Sequence, residues 1–194
     1  MASKKESSFI NMVLTLFVVA LAASTALGFV FELTKEPIAL AKLQRKLEAI
    51  NNVVPGFTND PNAEMFKVAV AEGDSLEFYP AKKDGKLIGT AIKTYTKKGF
   101  SGLIQLMVGL TPEGEIINIS VLDHKETPGL GDKMQKEKSD WSNQFNGKNP
   151  ASFKLSVSKD GGNVDAMTAS TISSRAYCDA VKRAYDIYIK NKKE

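Results

Sequence analysis

The stretch LIQLMVGLTPEGEIINISVL, from Leu103 to Leu122, decides the fold of this 194-residue chain. Its two mostly apolar runs, Leu103 to Leu110 and Glu115 to Leu122, are separated by Thr111-Pro112-Glu113-Gly114. Runs of this length are typical of β-strands, and a short segment with Pro and Gly is typical of a turn. Strands joined so closely pair antiparallel, because a parallel pair needs a crossover of a dozen or more residues. The stretch therefore predicts a β-hairpin.

The same strand pattern continues towards the amino terminus. Leu87 to Tyr95 alternates in polarity, and Asp84-Gly85 before it favours a two-residue hairpin turn. Two earlier runs, Phe66 to Val70 and Leu76 to Tyr79, have strand composition. Successive short strands with tight turns predict an α+β fold with a twisted, largely antiparallel sheet and flanking helices.

Two helices are predicted after these strands. Lys133 to Phe145 is polar, with Trp141 among a few apolar positions, and predicts a surface helix with one buried edge. Ser173 to Lys190 places its apolar residues on one face and predicts an amphipathic helix.

The amino-terminal segment predicts a membrane anchor. Phe9 to Phe31 contains 23 residues without a charge, and at about 1.5 Å per residue this crosses a hydrocarbon core of roughly 30 Å. The alternative is a cleaved signal peptide, but the run is too long for a typical apolar region of that kind. We predict a short tail at 1–8, the anchor at 9–33, a linker helix and connection at 34–62, and one domain at 63–194. The linker helix is expected to begin at Thr34-Lys35-Glu36-Pro37.

Composition excludes several classes of protein. The 26 basic and 22 acidic residues are dispersed, so a nucleic-acid partner is not expected, because phosphate tracking requires a concentrated basic stripe. A single cysteine, Cys178, excludes an internal disulfide framework and a cysteine-ligated cluster within this chain. The bases that follow the anchor outnumber Lys4 and Lys5 before it, which weakly favours a cytoplasmic domain.

A loop after the last predicted strand is the first candidate for chemistry. Asp123 to Asp132 contains the only histidine, His124, and then Pro128-Gly129-Leu130-Gly131, a turn that a ligand can approach closely. A histidine among carboxylates can be a metal ligand or a general base. No further ligands cluster with it in the sequence, so we predict no metal site and no catalytic residue.

The second candidate is VDAMTASTISSRAYCDAV, from Val164 to Val181. Capping of the following helix accounts for one or two of its hydroxyls, but not for all of them. The N-terminus of a helix favours an anion, because its N–H groups and its dipole both point there. The pattern indicates a phosphate site or a modified hydroxyl among Thr168, Ser170, Thr171, Ser173 and Ser174.

Together the two motifs resemble the FMN-binding domain family. Glu126-Thr127-Pro128-Gly129-Leu130-Gly131 is followed some forty residues later by Asp165 to Ser174, as in the G subunits of Rnf electron-transport complexes and the related C subunits of sodium-translocating NADH:quinone reductases. The amino-terminal helix, the turn Gly99-Phe100-Ser101-Gly102 and the segment around Trp141 extend the likeness over nearly the whole chain.

The resemblance implies FMN joined through its phosphate to Thr171 by a separate flavin transferase that uses FAD and magnesium. The attachment motif runs from Asp165 to Thr171, with Ala169 where the family commonly has Gly and Ser170 where it has Ala. Arg175 is expected to contact the phosphate, and Thr127 and Leu130 to pack against the isoalloxazine ring. The implied FMN-binding residues are Asp165, Thr168, Ser170, Thr171, Ser173, Ser174, Arg175, Glu126, Thr127, Gly129, Leu130 and Gly131.

By the same resemblance, the chain is an electron-transfer component of an Rnf-type complex that passes electrons between ferredoxin and NAD and moves sodium ions or protons. It is expected in the bacterial cytoplasmic membrane as a single-pass protein with an extracytoplasmic domain, against the weak charge asymmetry. Its partners are then the other membrane subunits, the transferase and lipid.

Three alternatives remain open. One is the C-like component of the quinone reductase. Another is a membrane-tethered hydrolase with a nucleophile among residues 168–174 and His124 as base. The third is an assembly module without flavin, for which only the Ala169-Ser170 pair argues.

Overall fold

The computed structural model describes residues 8–70 and 74–192, so residues 1–7 of the predicted tail lie outside the described part. The chain divides into two compact units, Met1–Gln44 and Arg45–Glu194. The predicted boundaries of anchor, linker and domain stay predictions. The helices and strands are α1 (Phe9–Val53), β1 (Phe66–Ala69), β2 (Ser75–Lys83), β3 (Lys86–Gly99), β4 (Gly102–Leu110), β5 (Ile116–Asp123), three short 3₁₀ helices (Gly131–Met134, Asp140–Phe145, Ser158–Asp160) and α2 (Thr171–Lys192).

The five strands form one antiparallel sheet in the order β1-β2-β3-β4-β5. Asp84 and Gly85 turn the chain between β2 and β3, both with positive φ, 50° and 78°. This is the backbone that a two-residue hairpin requires, and Gly adopts it at little cost. The predicted α+β fold with an antiparallel sheet is confirmed.

The helix α1 contains the apolar run and is long and apolar enough to cross a membrane. Its hydroxyl side chains donate to carbonyls one turn earlier: Thr15 to Asn11 at 2.7 Å, and Ser24 to Ala20 at 2.7 Å. Hydroxyls that are satisfied within the helix lower the cost of placing them in lipid, where no water can pair with them.

One expectation for this segment differs from the structure, because no new helix begins at Thr34. The helix continues through Pro37 to Val53. The Thr34 hydroxyl donates to the Val30 carbonyl at 2.8 Å, so it bonds backwards within the helix. A cap would instead require it to accept from an N–H group ahead.

The last turns of α1 pack on one face of the sheet. Val53 is fully buried in a cluster with Ala49, Ile50 and Val54 from the helix side and Tyr79, Ala81, Ala91 and Met107 from the strands. A Cβ on Gly109 would lie 2.7 Å from the Val53 carbonyl carbon. This close approach explains why β4 has a glycine there.

The helix α2 covers the opposite face and completes the main core. Its buried apolar residues are Ala176, Tyr177, Cys178, Ala180, Val181, Ala184 and Tyr188, so the predicted amphipathic helix is present. The Thr94 hydroxyl of β3 donates to the Ala180 carbonyl at 2.9 Å. That bond fixes the helix on the sheet.

The single helix predicted for Lys133 to Phe145 is wrong. The chain forms two short 3₁₀ helices instead. The first ends at Met134, and the second begins at Asp140. Ser139 lies between them in extended conformation; its hydroxyl donates to the Lys133 carbonyl at 2.7 Å and accepts from the Trp141 N–H at 3.2 Å. Local side-chain bonds of this kind compete with helix formation.

Candidate functional site

The two motifs meet at a half-open cleft of about 340 Å³ in the Arg45–Glu194 unit. One wall is the first turn of α2 with the residues before it. The other is the loop that follows β5, together with the turn between β3 and β4. The lining residues are Phe100, Glu126, Thr127, Leu130, Gly131, Ala169, Ser170, Thr171, Ile172 and Ser173.

The helix start on this cleft is held by Ser174. Its hydroxyl donates to the Ser170 carbonyl at 2.9 Å and accepts from the Met167 N–H at 2.9 Å. The chain enters the helix through Ala169, whose φ of 59° is in the left-handed region. As a result Thr171, the first residue of α2, lies at the cleft, where the first N–H groups of a helix lack partners within the helix.

Glu126 connects three segments of the wall. The side chain is 5% exposed. One carboxylate oxygen accepts from the Ser101 N–H at 2.9 Å, and the other accepts from the Ser173 hydroxyl. Ser173 therefore binds across the cleft wall and is not a helix cap.

Gly131 is required by this arrangement. A Cβ at this position would lie 2.7 Å from the Glu126 Cβ and 2.8 Å from the Ser173 hydroxyl oxygen. Neither neighbour can withdraw without breaking the bond between the two, so a side chain at position 131 would open the wall. This contact explains why the loop has a glycine at position 131.

Apolar side chains at the cleft remain accessible. Phe100 is 67% exposed, Ile172 49% and Leu130 38%. Large apolar groups that stay exposed beside polar ones mark a surface that binds something. A flat, largely apolar ring with a charged phosphate matches this combination of apolar walls and helix N-terminus.

Comparison with known proteins gives the same result. Residues 99–186 match the FMN-binding domain family. The G subunit of the ion-translocating oxidoreductase complex of Stutzerimonas stutzeri is 39% identical over 178 residues, which cover 89% of this chain and 78% of that protein. The G subunits of the same type of complex from Aliivibrio fischeri strain MJ11 (36% over 193 residues, 95% and 91% covered) and Shewanella piezotolerans (34% over 169 residues, 81% and 80% covered) are also similar.

The chain belongs to the family of G subunits of ion-translocating oxidoreductase complexes. The resemblance inferred from the two motifs is confirmed, and an FMN-binding domain occupies the carboxyl-terminal part of the chain. Within that domain, the cleft brings together seven of the predicted FMN-binding residues, namely Glu126, Thr127, Leu130, Gly131, Ser170, Thr171 and Ser173.

The other predicted FMN-binding residues do not line the cleft. Arg175 forms a two-pronged ion pair with Asp160, with both N–O distances 2.7 Å, so it has a partner other than a phosphate. Ser174 is buried and serves the helix start. Thr168 and Gly129 are exposed and line no part of the cleft.

Asp165 is fixed through its backbone. Its carbonyl accepts from the Trp141 indole N–H at 2.5 Å, and its own N–H donates to the Gln144 side chain at 2.8 Å. The Ser158 hydroxyl donates to its carboxylate at 3.2 Å. The residue is exposed, so its side chain is accessible to another protein.

Three residues that line the cleft, Phe100, Ala169 and Ile172, are not among the predicted FMN-binding residues. For Phe100 a signal was present, since a large apolar residue in the polar turn Lys98 to Gly102 has no obvious structural role. Ile172 lies between hydroxyl residues in the motif itself. Its outward position follows from the exact start of α2, which the sequence leaves undefined by a residue or two.

The geometry disfavours a hydrolase. His124 does not line the cleft, and its Nδ1 accepts the Glu126 N–H at 3.1 Å. A nucleophile near Thr171 would need a base within hydrogen-bond reach. The buried Cys178 thiol is no substitute, because burial raises its pKa to about 12.

Proposed function

We propose that this chain is the membrane-anchored electron-transfer component of an Rnf-type ion-translocating oxidoreductase complex, and that it carries FMN bound by a phosphoester to Thr171. The observation that carries this proposal is the position of Thr171. It is the first residue of α2 and lines the same cleft as the loop from Glu126 to Gly131.

Attachment requires one group transfer by the flavin transferase. The Thr171 hydroxyl oxygen forms a bond to the phosphorus of the FMN moiety of FAD, the pyrophosphate bond breaks, AMP leaves, and the hydroxyl proton is released. The N-terminus of α2 favours this product, because N–H groups and the helix dipole stabilise the negative phosphate. Thr171 is half-buried, so a transferase can reach it.

The walls then position the flavin and restrict its contact with water. Leu130, Ile172 and Phe100 offer exposed apolar surface to the ring, and Glu126 with Ser173 holds the loop against the helix. FMN, when bound, accepts electrons from one protein and passes them to another. The polypeptide contributes binding, orientation and the local charge.

The apolar part of α1 would place the protein in the bacterial cytoplasmic membrane as a single-pass component beside the other members of the complex, which passes electrons between ferredoxin and NAD. We further propose that the FMN domain is extracytoplasmic. Cys178 is buried, so a membrane-impermeant thiol reagent applied to whole cells should label a Lys159→Cys variant and leave the wild type unlabelled. Labelling of this variant only after cell lysis would reverse the orientation.

The test of attachment is coexpression of the full chain with a flavin transferase. A fluorescent band on a denaturing gel and an intact mass raised by one FMN less water are expected. Thr171→Ala should abolish both. The matched control is Thr127→Ala, which removes another hydroxyl from the same cleft but not from the helix start, and should keep the adduct.

Two results would contradict this proposal. A wild-type chain without flavin after such coexpression would remove the electron-carrier function. An adduct that persists in Thr171→Ala would place the bond at another hydroxyl, and peptide mapping would distinguish Thr168 from Ser170.

A further inference from the structure

The carboxylate of Glu126 is a buried charge in the wall of the cleft. It is 5% exposed, and both of its oxygens accept hydrogen bonds, from the Ser101 N–H and the Ser173 hydroxyl. An ionised carboxylate is an acceptor only, whereas a protonated one must donate. Both oxygens of Glu126 are placed as acceptors, as in an ionised carboxylate.

No cation neutralises this charge among the described residues. The ion pairs of residues 8–70 and 74–192 involve other carboxylates, and none includes Glu126. A buried carboxylate without a cationic partner is costly, so an apolar residue would make a more stable wall. The partial positive charge at the N-terminus of α2 offsets part of this cost.

The surrounding backbone is shaped for this side chain. A Cβ on Gly131 would lie 2.8 Å from one carboxylate oxygen, and a Cβ on Gly99 would lie 2.8 Å from the other. A glycine therefore lies on each side of the Glu126 carboxylate, and at Gly99 the Gly102 carbonyl oxygen of the turn would lie closer still to an added Cβ. The carboxylate is held in one place, which is the condition for a fixed electrostatic effect on a ligand in the cleft.

We propose that Glu126 is a tuning residue that lowers the reduction potential of FMN in this cleft. This inference rests on the proposed function, since it requires FMN there. Each electron that a donor delivers to the flavin adds one negative charge, until a proton follows from solvent. A fixed negative charge in a site of low dielectric disfavours that addition.

The experiment measures the midpoint potential of the flavinylated full chain in detergent, from the flavin absorbance during reductive titration with dithionite. Glu126→Gln keeps the shape of the side chain and removes the charge, so its potential should be more positive than that of the wild type. Glu126→Asp keeps the charge and should stay closer to the wild type than Glu126→Gln does. Glu113→Gln removes an exposed carboxylate from the β4–β5 turn and should have no effect.

A second variant tests the direction of the shift in midpoint potential. Ser173→Ala removes the hydroxyl that offsets part of the carboxylate charge, so its potential should move in the opposite direction, to more negative values. If Glu126 only packed the wall, the midpoint potentials of the two variants would not be expected to shift in opposite directions. The covalent bond to Thr171 keeps flavin in both variants even if the cleft loosens.

Two outcomes would overturn the inference: a wild-type potential in Glu126→Gln, or shifts of the same sign in Glu126→Gln and Ser173→Ala. Neither affects the proposed function, which fails only if the wild-type chain carries no flavin. The two failures are therefore distinguishable in one set of samples.

Discussion

Two helix ends meet the sheet domain, and they do so differently. The last turns of α1 pack so closely that Val53 and Met107 are fully buried and Gly109 has no room for a side chain. The first turn of α2 leaves a cleft beside it, with Ile172 half exposed. Both ends contain apolar residues, but the last turn of α1 buries Ala49, Ile50 and Val53, whereas the first turn of α2 leaves Ile172 accessible.

This difference indicates which end is structural and which is functional. At the end of α1, protein atoms fill the space, so a ligand could only displace them. At the start of α2, accessible apolar groups and helix N–H groups face the same space, and a ligand with a ring and an anion would cover both. The cleft beside the start of α2 lies where the two sequence motifs meet.

The largest effect is expected from Gly109→Ala at the closed end. Its Cβ would lie 2.7 Å from the Val53 carbonyl carbon, and backbone on both sides prevents relaxation. Overpacking of this kind costs about 3 kcal/mol of unfolding free energy. Denaturation of the full chain in detergent, followed by the fluorescence of the single tryptophan, measures it.

Gly28→Ala is the matched control, because a Cβ on Gly28 meets nothing within 4 Å. It should not lower the unfolding free energy, and the smaller backbone freedom of Ala in a helix should raise it by about 0.5–1 kcal/mol. At a temperature where Gly109→Ala remains folded, attachment of FMN should still occur, since the cleft lies elsewhere. A stable Gly109→Ala variant would show that the contact between α1 and β4 is looser than described.

Ala169→Gly, at the start of α2, is expected to raise the unfolding free energy, by less than Gly109→Ala lowers it. A left-handed conformation costs an L-residue about 1–2 kcal/mol, and Ala169 has a φ of 59°. Glycine removes this strain but loses about 0.5–1 kcal/mol through greater freedom of the unfolded chain. The net result is a stabilisation of about 0.5–1 kcal/mol, measured by the same denaturation.

The control is Ala151→Gly, at an exposed turn residue that is not among those with positive φ. Only the entropic loss applies there, so this variant should be destabilised by about 0.5–1 kcal/mol. If both variants lost stability equally, the strain at position 169 would be absent. Ala169→Gly should also keep the proposed attachment of FMN, because the resemblance implies a motif that commonly has glycine at this position.

Much of the fold was predictable, because it depends on local chemistry. The turns at Asp84-Gly85 and Thr111 to Gly114 fix which strands are neighbours. The segment after Lys133 was not predictable in the same way: the Ser139 hydroxyl has a choice of nearby backbone partners, and helical propensity does not show which one it takes.

The candidate site was likewise only partly predictable from the sequence. The loop from Glu126 and the motif at Thr171, which line one cleft, were predicted from their residues and from the family resemblance, and their contact with FMN stays a prediction. The direction of a long side chain could not be predicted in this way. Arg175 lies four residues after Thr171, on the adjacent turn, but its guanidinium is bound by Asp160, fifteen residues before it in sequence.

The smallest effect concerns this Arg175–Asp160 pair, which holds the start of α2 from outside the cleft. The hydrogen bond from Arg175 lowers the pKa of the Asp160 carboxyl below its ordinary value. A carboxyl whose pKa is lower in the folded chain stabilises the fold above its unfolded pKa, and this contribution is lost as pH falls through the folded pKa. Asp160→Asn should therefore lower the melting temperature slightly at neutral pH, and the difference from wild type should vanish in acid.

Arg175→Ala should reproduce the Asp160→Asn result, and the double variant should add nothing further, because both changes remove the same exposed pair. High salt should reduce the effect of either variant. The alternative, in which Arg175 binds the FMN phosphate, predicts a different pattern: Arg175→Ala would then weaken retention of free FMN by a Thr171→Ala chain, whereas Asp160→Asn would not. Equal effects of the two variants would assign Arg175 to the support of the helix start, and leave the N–H groups of α2 as the donors to the phosphate.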